Sequence, residues 1–134
     1  MKTEINPKET SRAEAFELWL TSPMPMVTLT KTFDVSKLLK VSKKLNISFN
    51  ALLCWCIGKA ASQIEEFYLL VEKDKLYKYD SLAINVIVNN QKGGINSCDI
   101  AFNENFKEFT QNYTQLTTQT ARENKSTFLE DYMI

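Results

Sequence analysis

The side chains able to do covalent or acid-base chemistry are few. The thiols Cys54, Cys56 and Cys98 are the soft nucleophiles, and the chain has no His. That removes every His-based general base, zinc ligand and pH switch from these residues. Cys54-Trp55-Cys56 therefore offers a thiol without a partner to activate it, and reads as packing in a helix. Cys98 reads the same way on a strand. The count is odd and no C-x-x-C pair occurs, which points to a reducing compartment. Lys37, Lys40, Lys43 and Lys44 form a row that reads as the solvated face of a helix, with a cofactor phosphate as the second reading. Glu65 and Glu66 are neighbours in sequence and diverge around a helix, so they suit a helix end better than an acid/base pair. Gly93-Gly94 lacks the flanking pattern of a phosphate loop and reads as a hairpin turn. Arg12, taken alone, is a surface arginine. Leu18, Trp19, Pro23, Pro25 and Ile95 either wall a small-molecule pocket or belong to an ordinary core.

These groups must be held by a chain of 134 residues and 15.4 kDa, one domain or a large piece of one. Sixteen Lys plus Arg balance sixteen Asp plus Glu, with a pI near 6.3, so no overall positive field recruits nucleic acid or an anionic membrane. The polar start, Met1 to Pro7, lacks the apolar stretch of a signal peptide. Nor does any later run approach the ~18 apolar residues of a membrane span. A soluble cytoplasmic protein is the expectation.

The apolar pattern divides the chain into elements. Ser11 to Leu20 predicts a short helix with Phe16, Trp19 and Leu20 on one side, ended by Ser22-Pro23-Met24-Pro25. Val27, Leu29 and Phe33 alternate with Thr28, Thr30 and Thr32, the period-two signature of a strand. Asp34 or Ser36 caps a helix with Leu38, Leu39, Ser42 and Leu45 on one face, and Asn46 stops it. A second helix runs from Ser48 to about Glu66, with Phe49, Leu52, Leu53, Cys56, Ala60 and Ile64 as its buried stripe. Then come strands at Tyr68 to Glu72, Lys75 to Asp80, Leu82 to Asn90 and Ile95 to Phe102, with turns at Lys73-Asp74 and Gly93-Gly94. A last helix, about Glu104 to Asn124, buries Phe106, Phe109, Tyr113, Leu116 and Thr120. The tail from Phe128 to Ile134 is dense in apolar side chains. It reads as chain cut mid-domain, or as a segment docked on its own domain.

Several short motifs occur in an order with its own meaning. Arg12-Ala13-Glu14-Ala15-Phe16-Glu17-Leu18-Trp19 resembles the R-x-E-x-F-E-aromatic-aromatic helix near the start of chloramphenicol acetyltransferases. The spacing from Arg12 to Phe33-Asp34 is similar as well. Tyr79-Asp80-Ser81-Leu82 resembles that family's W-D-S-V, and Phe109-Thr110-Gln111-Asn112-Tyr113 its F-x-x-N-Y. The resemblance runs from Arg12 to about Phe128 and reaches the N-terminal part of the family's domain.

The resemblance implies an α/β two-layer sandwich of the CoA-dependent acyltransferase type, here truncated before the C-terminal catalytic segment, with residues 1–134 the N-terminal part of one domain. It implies acetyl-CoA as co-substrate, a hydroxylated small-molecule acceptor such as chloramphenicol, and a homotrimer. In that family a His in an H-H-x-x-x-D-G motif takes the acceptor proton, and a Ser steadies the oxyanion. Neither element matches a position in this chain. Arg12 matches the arginine that holds the catalytic loop by pairing with the motif's aspartate. Leu18, Trp19, Pro23, Pro25, Ile95 and Phe128 match acceptor-pocket positions. Leu18 and Ile95 stand where the family has aromatics, which removes stacking surface for chloramphenicol. The competing expectation is a non-catalytic small-molecule or partner-binding module, or an inactive fragment.

Overall fold

Polar residues mark most of the helix ends in the computed structural model, which describes all 134 residues. The first helix, α1, spans Ala13–Leu20. Asp34 accepts the Ser36 N–H at 2.9 Å just before α2 (Ser36–Leu45). Asn46 then takes a left-handed conformation, φ 52°, and donates to the carbonyls of Ser42 and Lys43. Ser48 caps α3 (Phe49–Ala61) by accepting from Ala51. Asn105 does the same for α4 (Phe106–Glu123) by accepting from Lys107 and Glu108, and Asn124 ends it at φ 54°.

Two antiparallel sheets carry the strands. One has the order β1–β3–β2, from Lys2–Ile5, Lys75–Tyr79 and Leu69–Glu72. The other is the hairpin of β4 (Ala83–Asn89) and β5 (Ile95–Ala101), with Val86 opposite Cys98. Lys73 and Asp74 make the β2–β3 turn with φ of 49° and 63°, the paired positive values a tight hairpin requires. Gly93, at φ 80°, turns β4 into β5.

The core lies where α3 and α4 meet the β4–β5 hairpin. Ala51 and Cys54 from α3, Val86, Cys98 and Ile100 from the hairpin, and Phe109 and Tyr113 from α4 form one buried cluster. Asn50 donates to the Tyr113 hydroxyl at 2.7 Å, and the Trp55 indole donates to the Asn103 carbonyl at 3.2 Å. The tail docks on this layer. Thr127 pairs with Cys98 and Met133 with Leu82, both in parallel. The buried Asp99 carboxylate accepts from Asn85 at 2.7 Å and from the Leu129 backbone at 2.9 Å.

Four sequence expectations are corrected. Residues 27–33 form no strand, because no other backbone lies alongside to complete a ladder. The helix expected to reach Glu66 ends at Ala61. Beyond it the Tyr68 hydroxyl donates to the Ser62 carbonyl, and a 3-10 turn at Glu65–Tyr68 feeds β2. The buried residues of α3 are Ala51, Leu52, Cys54 and Gly58, so of the expected stripe through Phe49, Leu52, Leu53, Cys56, Ala60 and Ile64 only Leu52 is fully buried. At Gly58 the hairpin layer supplies the volume: a Cβ there would lie 2.8 Å from Phe102 Cε2 and 3.0 Å from Ile84 Cδ1. The polar N-terminus, expected to carry no element, supplies β1. Its Lys2 and Glu4 pair with Glu72 at 2.6 Å and Lys75 at 2.8 Å.

Candidate functional site

Ala15, Phe16 and Trp19 share one face of α1, and Arg12 stands at the N-cap position just before it. Leu69 and Val71 lie on one face of β2, and Val71 pairs with Leu76 of β3. Between these surfaces lies a cavity of about 500 Å³, walled also by Val27, with Arg12 and Glu66 as its charged members. A neighbouring cavity of about 520 Å³ shares Phe16 and Trp19 and is closed by Leu20, Pro25 and Leu70. A third hollow of about 420 Å³ lies between Leu18, Trp19, Ser22 and Met24. Trp19 belongs to all three. These volumes fall in the range of small-molecule sites, ~300–1,000 Å³, and their walls are mostly apolar.

The charged groups at this site are held unequally. Glu66 accepts from Ser11 Oγ at 3.2 Å. The Arg12 side chain is exposed and makes no ion pair, while its backbone N–H bonds to Thr10 Oγ1 at 3.1 Å. A free guanidinium offers five donors in a planar fork, suited to a carboxylate from another segment or from a ligand.

The sequence-predicted residues separate into two groups. Arg12 and Trp19 meet in one cavity, Pro25 joins Trp19 in the next, and Leu18 joins it in the third. Pro23 is exposed on the loop after α1 and lines none of these. Ile95, on β5, and Phe128, in the tail, are 66% and 68% exposed and line none of these cavities. Sequence reasoning missed Val27, Glu66, Leu69, Val71 and Leu76 as cavity walls. The alternation of Leu69 and Val71 was the available signal.

Elsewhere the reactive groups are quiet. Burial pushes the Cys54 thiol up, which disfavours the thiolate. Burial also raises the Tyr113 phenol, against the hydrogen bond from Asn50, and keeps it neutral. No three His, Cys, Asp or Glu side chains converge to hold a metal ion. A polar cleft of about 610 Å³ lies where α3 begins beside α4, between Asn46, Ser48, Thr110, Gln111, Thr114 and Gln115. No helix is long and apolar enough to cross a membrane.

Fold and site together define a mixed α/β protein with an apolar, small-molecule-sized cavity under its first helix. Its fold is similar to that of a solved chloramphenicol acetyltransferase, with a TM-score of 0.80 and 20% identity over 92% of this chain and 62% of that one. The sequence model of the chloramphenicol acetyltransferase family matches residues 2–132, and the chain belongs to that family. It spans less than two thirds of the solved relative's length. No curated protein matches the chain significantly.

Proposed function

We propose that residues 1–134 are the N-terminal part of an acetyl-CoA-dependent O-acetyltransferase, built as a two-layer α/β sandwich and assembled as a homotrimer. The observation that carries this reading is the family match across residues 2–132, with Arg12 and Trp19 in one apolar cavity. In the reaction an acceptor hydroxyl attacks the thioester carbonyl. The new C–O bond replaces the C–S bond, and CoA leaves as the thiol. In the family's mechanism the general base is a His, and the chain has none.

Within that reaction these residues bind and position. Trp19, Phe16 and Pro25 provide the apolar wall for the acceptor. Leu18, Pro23, Ile95 and Phe128, by the family resemblance, extend that pocket once further polypeptide closes it. Arg12 pairs with a carboxylate of the catalytic loop and is a positioning residue. A CoA thioester carries phosphates and amides, and its chemistry fits the polar cleft beside α4. The bound thioester would supply the acetyl group.

The test is acetyl transfer followed by thiol release. The 134 residues alone are expected to show none, and a complete chain carrying the family's His motif is expected to acetylate a hydroxylated apolar acceptor. In that chain Arg12→Ala should lower kcat at least tenfold with little change in KM, and Arg12→Lys should restore part of it. Unchanged kinetics would remove the positioning role. Absence of transfer to any hydroxylated acceptor would overturn the enzymatic reading.

A further inference from the structure

We propose that Asp99 is a clasp that fixes the backbone on both sides of Phe128 and is thereby a positioning residue for the acceptor, the acceptor role resting on the function proposed above. The tail meets the free edge of β5 for a single step of parallel ladder. Thr127 donates to the Ser97 carbonyl at 3.0 Å, and its own carbonyl accepts the Asp99 N–H at 3.0 Å. A continued ladder would send the Leu129 N–H to the Asp99 carbonyl. It goes instead to Oδ2 of the Asp99 carboxylate, at 2.9 Å. The side chain takes over from the main chain, and the ladder stops there. Asp99 therefore holds both neighbours of Phe128, Thr127 through its N–H and Leu129 through its carboxylate. The Thr127 hydroxyl lies 3.3 Å from that of the buried Thr120, on the core side. Phe128, the next residue, turns the other way and is 68% exposed.

The Asp99 side chain is 1% exposed and belongs to no ion pair. Its two oxygens are used one by one: Oδ1 accepts from Asn85 at 2.7 Å and Oδ2 from Leu129. Burying a carboxylate on neutral donors is costly, and an apolar side chain would fill the same space without that cost. What the carboxylate provides and an apolar side chain does not is the second hold on the tail. Asn85 stands directly opposite Asp99 in the hairpin and orients it, beside the fully buried Cys98 and Ile100. The ring of Phe128 is thus carried on backbone pinned to the most rigidly packed layer. A wall set in place beforehand needs no ordering when an acceptor arrives, so its loss falls on binding rather than on the chemical step.

The experiment has two readouts. On the 134-residue chain, Asp99→Ala should speed amide exchange at Leu129 at least tenfold while Phe109 and Tyr113 keep their protection. Asp99→Asn should restore slow exchange, because its carbonyl oxygen accepts from Leu129 while the Asn85 amide flips to accept from its NH₂. Unchanged exchange at Leu129 in Asp99→Ala, equally fast exchange in Asp99→Asn, or loss of protection throughout the hairpin in Asp99→Ala overturns the clasp. In a complete chain carrying the family's His motif, with chloramphenicol as the probe acceptor and acetyl-CoA saturating, Asp99→Ala and Phe128→Ala should each raise KM at least fivefold and move kcat far less. The double variant should be no worse than the worse single one, since both changes act through one ring. Additive losses, or a KM unmoved by Asp99→Ala, remove the positioning role. If the unsubstituted complete chain transfers no acetyl group, the acceptor role falls with the enzymatic reading, whereas the clasp stands or falls on the Leu129 amide alone.

Discussion

The helix–hairpin layer of α3, α4, β4 and β5 and the N-terminal layer of α1 and the three-stranded sheet differ in how completely they close. In the first, Cys98, Ile100 and Phe109 are fully buried, and the docked tail bonds to Asp99. In the second, α1 buries no residue, its face looks onto cavities, and residues 27–34 lack backbone partners. The same chain thus holds one finished layer and one that leaves a binding surface open. The densest packing is in the first, and in the family reading the apolar acceptor wall at Phe16 and Trp19 belongs to the second.

Removing a large aromatic from each layer sharpens the contrast. Phe109→Ala empties a fully buried site and should cost about 4 kcal/mol, enough to unfold much of the protein in a denaturant titration. Gly58→Ala should destabilise by about 2 kcal/mol despite the better helix propensity of alanine, because the new methyl meets Phe102 and Ile84. A neutral or stabilising effect would show that α3 and the hairpin are looser than described. Trp19→Ala, 36% exposed and bordered by cavities, should cost about 1 kcal/mol or less. A loss as large as that at Phe109 would break the comparison.

The smallest effect is electrostatic. Glu72 is held below its ordinary value of 4.5, chiefly by the hydrogen bond from Lys2 and then by that from Tyr79. A depressed carboxylate stabilises the fold above its unfolded pKa, and that contribution is lost as pH falls through the lower folded value. Acidification below about 4.5 should therefore loosen β1, seen as faster amide exchange at Lys2–Ile5, and Glu72→Gln should abolish that pH dependence. Both side chains are about a third exposed, so added salt should blunt the effect.

Legibility in the sequence followed the range of the contacts. The caps at Asn46 and Ser48, the turns at Lys73-Asp74 and Gly93, and the stripe through Phe109, Tyr113 and Thr120 are local signals, and each formed. The pattern at 27–33 was equally clear, yet a strand also needs a neighbour, which local alternation cannot supply. β1 was hidden for the converse reason: Lys2-Thr3-Glu4-Ile5 is polar and becomes a strand only because β3 lies beside it. Arg12 and Trp19 were legible as site residues through an ordered family motif. The walls at Glu66, Leu69 and Leu76 come from more than 45 residues away in sequence, and only the fold brings them to α1.

Segment-resolved amide exchange on the 134-residue chain alone tests the division into a closed and an open layer most directly. The account predicts strong protection at Cys98, Ile100, Phe109 and Tyr113 and near-unprotected exchange from Val27 to Asp34. Comparable protection in the two sets would contradict it.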